Sequence, residues 1–123
     1  MNPAFSGSAV ALWQNEICLL NRLHVARGFL ERGVGLMFRK SVPEQYGDGL
    51  LFLHCRSLHT FNMRFPLDMV FLDGEGEILN IRRGVRPWKV VAGPKSAAHV
   101  FEVPAGVLSD LSLEIPLQWR KPE

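Results

Sequence analysis

The residues from Met69 to Ile81 leave the backbone little freedom. Met69-Val-Phe-Leu72 is an unbroken apolar run, Asp73-Gly-Glu-Gly76 is rich in turn formers, and Glu77-Ile-Leu-Asn-Ile81 resumes the apolar pattern. Two strand-sized runs joined through a glycine able to take positive φ predict a β-hairpin over 68–72 and 77–81. A lone hairpin is marginal in water, so the rest of the chain must supply further strands.

Short apolar runs punctuated by Gly, Pro, Asn or Asp recur along the chain. Val10 to Gln14 reads as a short edge strand, Asn15-Glu16 as a turn, and Ile17 to Val25 as a second strand completing a hairpin. Leu50 to Leu53 is continuously apolar, which predicts burial on both faces. His59 to Met63 is expected to be a strand with His59, Phe61 and Met63 on one face. Ala97 to Val103 alternates as a strand does. Leu113 to Trp119 is a last strand, held to an edge position by Pro116.

Helical signals are few. Leu30, Val34, Met37 and Phe38 mark one face of a helix within Arg27 to Lys40, with Gly28 at its start and Arg39 and Lys40 suiting its C-terminal end. Gly33 and Gly35 each cost about 1 kcal/mol against Ala there, which argues for a short helix or a close backbone approach. Pro104-Ala-Gly106 starts a single turn. Arg82 to Lys95 reads as a loop containing a short strand at Trp88 to Val91. The sum is an α+β, mainly β fold: a small sandwich or partly open barrel of short, mostly antiparallel strands with one or two short helices. Residues 1–9 are expected to be flexible, 10–119 to form a single domain, and 120–123 to be a tail.

Composition narrows the function. A chain of 123 residues suits one domain with a real core. A net charge of +2 is too mild to point to nucleic acid. The first residues lack a cationic segment followed by an apolar one, and no apolar run approaches the ~18 residues of a membrane span, so a cytoplasmic protein is expected. Cys18 and Cys55 read as two buried thiols. Phosphate-loop, nucleophile-elbow, H-E-x-x-H and C-x-x-C motifs are all absent, and no cofactor is inferred.

Chemistry-bearing side chains concentrate between Cys55 and Asp68, with Arg56, His59, Thr60, Asn62 and Arg64 among them. A metal site would need His54, Cys55 and His59, joined by His24, His99, Cys18 or Asp68. Strand alternation sends His54 and Cys55 to opposite faces, so no metal site is expected. A His59–Asp68 catalytic pair fails on spacing. If 59–63 and 68–72 pair around Pro66, the two side chains lie about 13 Å apart at ~3.3 Å per residue. Asp68 is expected instead to accept backbone N–H groups at the Pro66 turn or to pair with Arg64. Cys55 is expected to be inert, because Arg56 points away from it. No catalytic residue is assigned.

Arg82, Arg83, Arg86, Lys89 and Lys95 form a basic segment around Trp88. Such a segment suits a small anionic ligand or a protein partner, and also suits a plain solvated loop. The candidate ligand site is His59, Thr60, Met63, Arg64 and Asp68, covered by Arg86 and Trp88. The function expected is a non-enzymatic binding or accessory module. The alternatives are a small hydrolase or transferase using His59 with a carboxylate, and a structural protein pairing through its edge strands.

Several ordered motifs carry a family resemblance. Gly35-Leu-Met-Phe-Arg39, Gly49-Leu-Leu-Phe52, His59-Thr-Phe-x-Met63 and Pro66-Leu-Asp68, followed by the apolar-Asp-Gly hairpin, resemble the prokaryotic family known as domain of unknown function 192. Cys55-x-Ser-Leu-His-Thr-Phe-x-Met-x-Phe-Pro-Leu-Asp68, Arg86-Pro-Trp-Lys89 and Glu102-Val-Pro-Ala-Gly106 are similar to one branch of it. The likeness runs from about residue 10 to residue 119. It implies a compact, mainly β fold with short helices and no established activity, and it supplies no catalytic residues. Many members carry a secretory or lipoprotein leader, which makes an envelope location the alternative to a cytoplasmic one.

Overall fold

The computed structural model describes residues 2–123, apart from the side chains of Phe29 and Leu30. In chain order, β1 (Ala9–Gln14) and β2 (Ile17–Val25) are followed by α1 (Gly28–Gly33), β3 (Gly49–Phe52) and β4 (Ser57–His59). Then come β5 (Leu67–Leu72), β6 (Ile78–Val85), β7 (Val90–Ala92), β8 (His99–Pro104) and β9 (Gln118–Arg120). Seven strands form one sheet in the order β6-β5-β8-β3-β2-β1-β9, while β4 and β7 pair as a separate ribbon. The sheet curls into a half-barrel. Among the described residues only β2 and β3 run parallel; the fold is mainly β, as expected.

The β5–β6 and β1–β2 hairpins form as the sequence predicts. Asn15 takes φ 51° in the first turn and Gly76 takes φ 89° in the second. A side chain at Gly76 would also strike the Trp119 indole, whose Nε1 donates to the Gly76 carbonyl at 2.8 Å.

Register explains two cores. Opposed residues on antiparallel strands share a face, and the faces alternate along each strand. Val70 faces Phe101 and Asp68 faces Val103, while Phe71 faces Val100 and Met69 faces Glu102. Phe101, Val103, Val70 and Leu51 therefore belong to one buried cluster, closed by Phe5, Leu108, Leu111 and Leu117. Val100, Phe71, Met69, Leu50 and Phe52 belong to the other, covered by Leu36, Met63, Val91 and the half-buried Leu58. The β4–β7 ribbon lies over this second face.

Several expectations are corrected. β1 is not an edge strand: β9 pairs along its outer side, through Leu12 with Trp119. The helix stops at Gly33, well short of Lys40. Val34 and Phe38 are exposed, and the buried side chain that follows the helix is Leu36. Leu30 lies outside the described side chains. Phe38 takes φ 64°, which no α-helix continues through, so Arg39 and Lys40 cap nothing. His59 to Met63 is not a strand. It leaves β4 at His59 and turns through Asn62, at φ 61°. Nor do 59–63 and 68–72 pair: β4 pairs with β7, and β5 lies between β6 and β8. Arg82 to Val85 is the end of β6 rather than loop. Cys18 and Cys55 are half-buried free thiols, not fully buried ones.

The first residues, expected to be loose, hold a 3₁₀ turn at Pro3–Ser6 that Asn2 caps by accepting from the Ala4 N–H. Phe5 is 0% exposed and packs edge-on against His99 and Trp119 at ring distances of 5.6 and 5.1 Å. Phe5→Ala should therefore cost about 3 kcal/mol or more in urea unfolding. A loss under about 1 kcal/mol would show that this segment adds little to the core.

Candidate functional site

Glu102 is the chemically anomalous residue of the molecule. It sits mid-strand on β8, between Leu50 of β3 and Met69 of β5. Its side chain rises from the second, apolar face of the sheet and is only 4% exposed. It opens into a cleft of about 320 Å³. Gly33 to Met37 form one side of this cleft. Ser57 to His59, Phe61 and Met63 form the other, and Cys55 and Arg32 also line it.

No side chain or backbone group among the described residues hydrogen-bonds the Glu102 carboxyl. Every fully sealed side-chain N or O atom of the described residues has a partner; the Glu102 oxygens stand outside that class because they open onto the cleft. Burial, with no partner to offset it, pushes the Glu102 carboxyl up to about 8. At neutral pH it is mostly a neutral acid: a hydrogen-bond donor on an apolar floor.

Local structure holds the walls. Thr60, 0% exposed, is a clamp. Its Oγ1 donates to the Arg86 carbonyl at 2.7 Å and accepts from the Lys89 N–H at 2.8 Å. Its carbonyl accepts from Trp88 N at 2.9 Å and Met63 N at 3.1 Å. This ties the 60–63 turn to the 86–89 turn. Phe38 N donates to the Asn62 carbonyl at 2.9 Å and fastens the segment after α1 to the same turn. His59 Nδ1 accepts from Phe61 N at 3.2 Å, and the two rings stack at 5.0 Å. Trp88 lies 5.9 Å from Phe61, ring to ring, and is 64% exposed. The Cys55 thiol donates to the Ser57 carbonyl at 3.1 Å.

The cleft brings together only part of the residue set inferred from sequence. His59 and Met63 line it, and Thr60 holds its wall without facing in. Arg86 lies over a neighbouring depression with Arg82, Arg83 and Lys89, and Val90 borders both hollows. Arg64 is exposed and does not line the cleft. Asp68 is on the other face of the sheet, paired with Val103. Its carboxylate accepts from Gly84 N at 2.8 Å and Gly106 N at 3.1 Å, and Arg83 lies 3.6 Å away. It thus serves as a staple between β6 and the turn after β8, not at the Pro66 turn or with Arg64. The sheet separates it from His59.

The remaining histidines are dispersed. His24 stacks on Tyr46 and bonds Glu31 at 3.0 Å. The backbone N–H of Arg27 at 2.8 Å, followed by His24, holds the Glu31 carboxyl below its usual range. His99 accepts from His54 N at 3.0 Å, and burial chiefly lowers its proton affinity. Among the described residues, no three His, Cys, Asp or Glu side chains converge as metal ligands. No helix among them is long and apolar enough to cross a membrane.

Glu102 was legible in principle. It is a carboxylate within the apolar run Val100–Val103 of the strand that the 97–103 alternation predicts, and such a charge needs a partner or a purpose.

Residues 13–116 match the family model of domain of unknown function 192, described as an uncharacterized ACR. The chain belongs to this family. The matched span holds every cleft residue named above. A UPF0127 protein of Pyrococcus furiosus is 32% identical over 101 residues, covering 78% of this chain and 84% of that one. A UPF0127 protein of Pyrococcus abyssi is 28% identical over 100 residues, covering 76% and 80%. Among solved structures, a protein of unknown function from Novosphingobium aromaticivorans superposes with a TM-score of 0.71 at 21% identity, covering 91% of this chain and 83% of that one. A Sinorhizobium meliloti protein named as a candidate transcription regulator gives 0.69 at 24% identity, covering 90% and 92%. These two likenesses show the fold alone.

Proposed function

We propose that this protein is a non-enzymatic small-ligand-binding module and that its site is the cleft over Glu102. One observation carries the reading: a carboxyl more than nine-tenths buried, without a protein partner, opens into a concave, largely apolar space. Leaving a buried polar group unsatisfied costs about 1–3 kcal/mol. A ligand that bonds to it recovers that cost, and a cleft with apolar walls and few polar groups is the usual form of a small-molecule site. Exposed Val34, Phe61 and Val90 at the mouth add apolar contact surface. His59 and Met63 are the wall residues, Thr60 positions the wall, Trp88 lies beside Phe61, and Arg86 borders the neighbouring depression.

The hydrolase or transferase reading has no geometric support from Asp68, which lies across the sheet from His59. Pairing of copies through sheet edges is also poorly served. β9 is three residues long, and β6, the other edge, carries Arg82 and Arg83.

Ser57 is exposed at the cleft wall, so an indole there would fill the space without disturbing the core. Fragments representing acids, amines, amides and sugars should shift the Met63 methyl resonance of the wild type. Ser57→Trp should leave the fold intact and abolish those shifts. If no fragment moves Met63, or if Ser57→Trp binds as the wild type does, the cleft is not the site.

A further inference from the structure

We propose that the hollow between β6 and β7 is a second binding site, one that takes a phosphate group. The proposal is independent of the cleft over Glu102, with which the hollow shares only Val90 among its lining residues.

The hollow measures about 410 Å³ and its walls are basic. Arg82 and Arg83 come from β6, and Arg86 and Lys89 from the turn that leads into β7. The buried Val85 and Val91 line it as well. Register sets Arg82 opposite Met69 and Val85 opposite Leu67, on the sheet face that also packs against Val91. Arg83 has one counter-ion, Asp68, at 3.6 Å. Among the described residues, Arg82, Arg86 and Lys89 form no ion pair. Unpaired like charges around one small hollow repel one another, and a bound anion removes that repulsion.

The backbone that carries these cations is pinned. Five polar or charged side chains among the described residues are buried: Gln14, Thr60, Asp68, His99 and Glu102. Two of the five bond to the rim of this hollow. Thr60 Oγ1 donates to the Arg86 carbonyl at 2.7 Å and accepts from the Lys89 N–H at 2.8 Å. Asp68 accepts from the Gly84 N–H at 2.8 Å. Between the two Thr60 contacts, Trp88 takes φ 67°, a left-handed backbone that a residue with a Cβ resists. Such strain persists where the surrounding structure holds it, and it gathers at ligand sites. A solvated loop needs neither the clamp nor the strain.

The lining fixes the class of ligand. Its side chains are those of Arg, Lys, Val and Gly, none of which accepts a hydrogen bond. A ligand held by them supplies acceptors and negative charge. A phosphate monoester carries close to two charges near pH 7 and presents three acceptor oxygens. It can therefore meet several of these cations at once, with guanidinium forks matching pairs of its oxygens. A single carboxylate offers one charge to three unpaired cations.

The test titrates ¹⁵N-labelled protein with inorganic pyrophosphate, glycerol 3-phosphate, acetate and a tetra-aspartate peptide, following the amides of Gly84, Val90 and Val91. Pyrophosphate represents the free anion and glycerol 3-phosphate an organic ester. Either should move these amides, the tighter of the two naming the source, and acetate should bind about tenfold or more weakly. Arg86→Gln and Lys89→Gln should each weaken phosphate binding about fivefold or more. Both leave in place the main-chain groups that Thr60 grips, and unchanged amide shifts elsewhere confirm the fold. Lys121→Gln removes a charge that lines no part of the hollow and should bind as the wild type does. Failure of both phosphates to move these amides would overturn the proposal. So would acetate binding equally well, or Lys121→Gln weakening binding as much as the other two variants. The peptide binding more tightly than either phosphate would make the hollow a protein-docking surface instead. None of these outcomes touches the reading of the Glu102 cleft, which the Met63 resonance tests.

Discussion

Gly49→Ala is expected to be the most damaging single methyl group that can be added to this protein. Gly49 begins β3, where the chain lies directly against the backbone of β8. A Cβ there falls far inside van der Waals contact of the Glu102 carbonyl oxygen and 2.9 Å from Val103 Cγ1. Neither neighbour can swing aside. The carbonyl belongs to a central strand, and Val103 is 0% exposed. Relief requires β3 and β8 to separate, which breaks the ladder joining Leu50 to Glu102 and Leu51 to Phe101. Overpacking of buried sites costs about 1–3 kcal/mol and occasionally more, and contact with fixed backbone belongs at the upper end. Urea unfolding should show a loss of about 3 kcal/mol or more, or no folded protein. A loss below about 1 kcal/mol would mean that the two strands do not approach as described. Because the collision is with the residue that bears the cleft carboxyl, any folded fraction should also bind poorly.

Stability should fall with rising pH across the neutral range, through Glu102. Its folded-state carboxyl is raised from 4.5 to about 8. Between those values the folded protein holds a proton that the unfolded chain has lost. The contribution is therefore complete below pH 4.5 and disappears as pH rises through about 8. The expected slope approaches 1.4 kcal/mol per pH unit, roughly a few kcal/mol in total. Two groups act in the opposite sense. His99, with proton affinity lowered by burial, and Glu31, held low by the Arg27 N–H, both destabilise the fold as pH falls. Subtracting the unfolding curve of Glu102→Gln removes those contributions, since the substitution leaves both groups in place. The difference should fall from pH ~5 to ~8. A flat difference would mean that Glu102 is already ionised in the folded protein.

The strands were largely legible because they rest on local rules. The 68–81 hairpin, the 10–25 hairpin and the buried run at Gly49–Phe52 follow from alternation, turn chemistry and unbroken apolarity. What failed depends on contacts distant in sequence. Apolar spacing alone extended the helix to Lys40, but Phe38 N donates to Asn62, and the chain leaves α1 to close over the cleft. Phe5 looked like part of a loose terminus, yet its pocket is made by His99 and Trp119. Asp68 looked like a site residue because it is a carboxylate beside apolar strands, among the polar side chains of 55–68. The pleat sends it to the opposite face, where the N–H groups of Gly84 and Gly106 await it. Glu102 was passed over as part of a motif. Its importance appears only when the register places it between Leu50 and Met69. Sequence alternation shows that a residue points inward, but not whether a partner waits there.

The most direct measurement is a titration of the Glu102 side-chain carboxyl by ¹³C NMR, assigned by its absence in Glu102→Gln. The carboxyl of a buried acid without partners, opening onto a ligand cleft, should titrate with a midpoint near 8. A midpoint in the ordinary carboxylate range, near 4.5, would contradict the proposal that Glu102 waits in the cleft as a neutral donor.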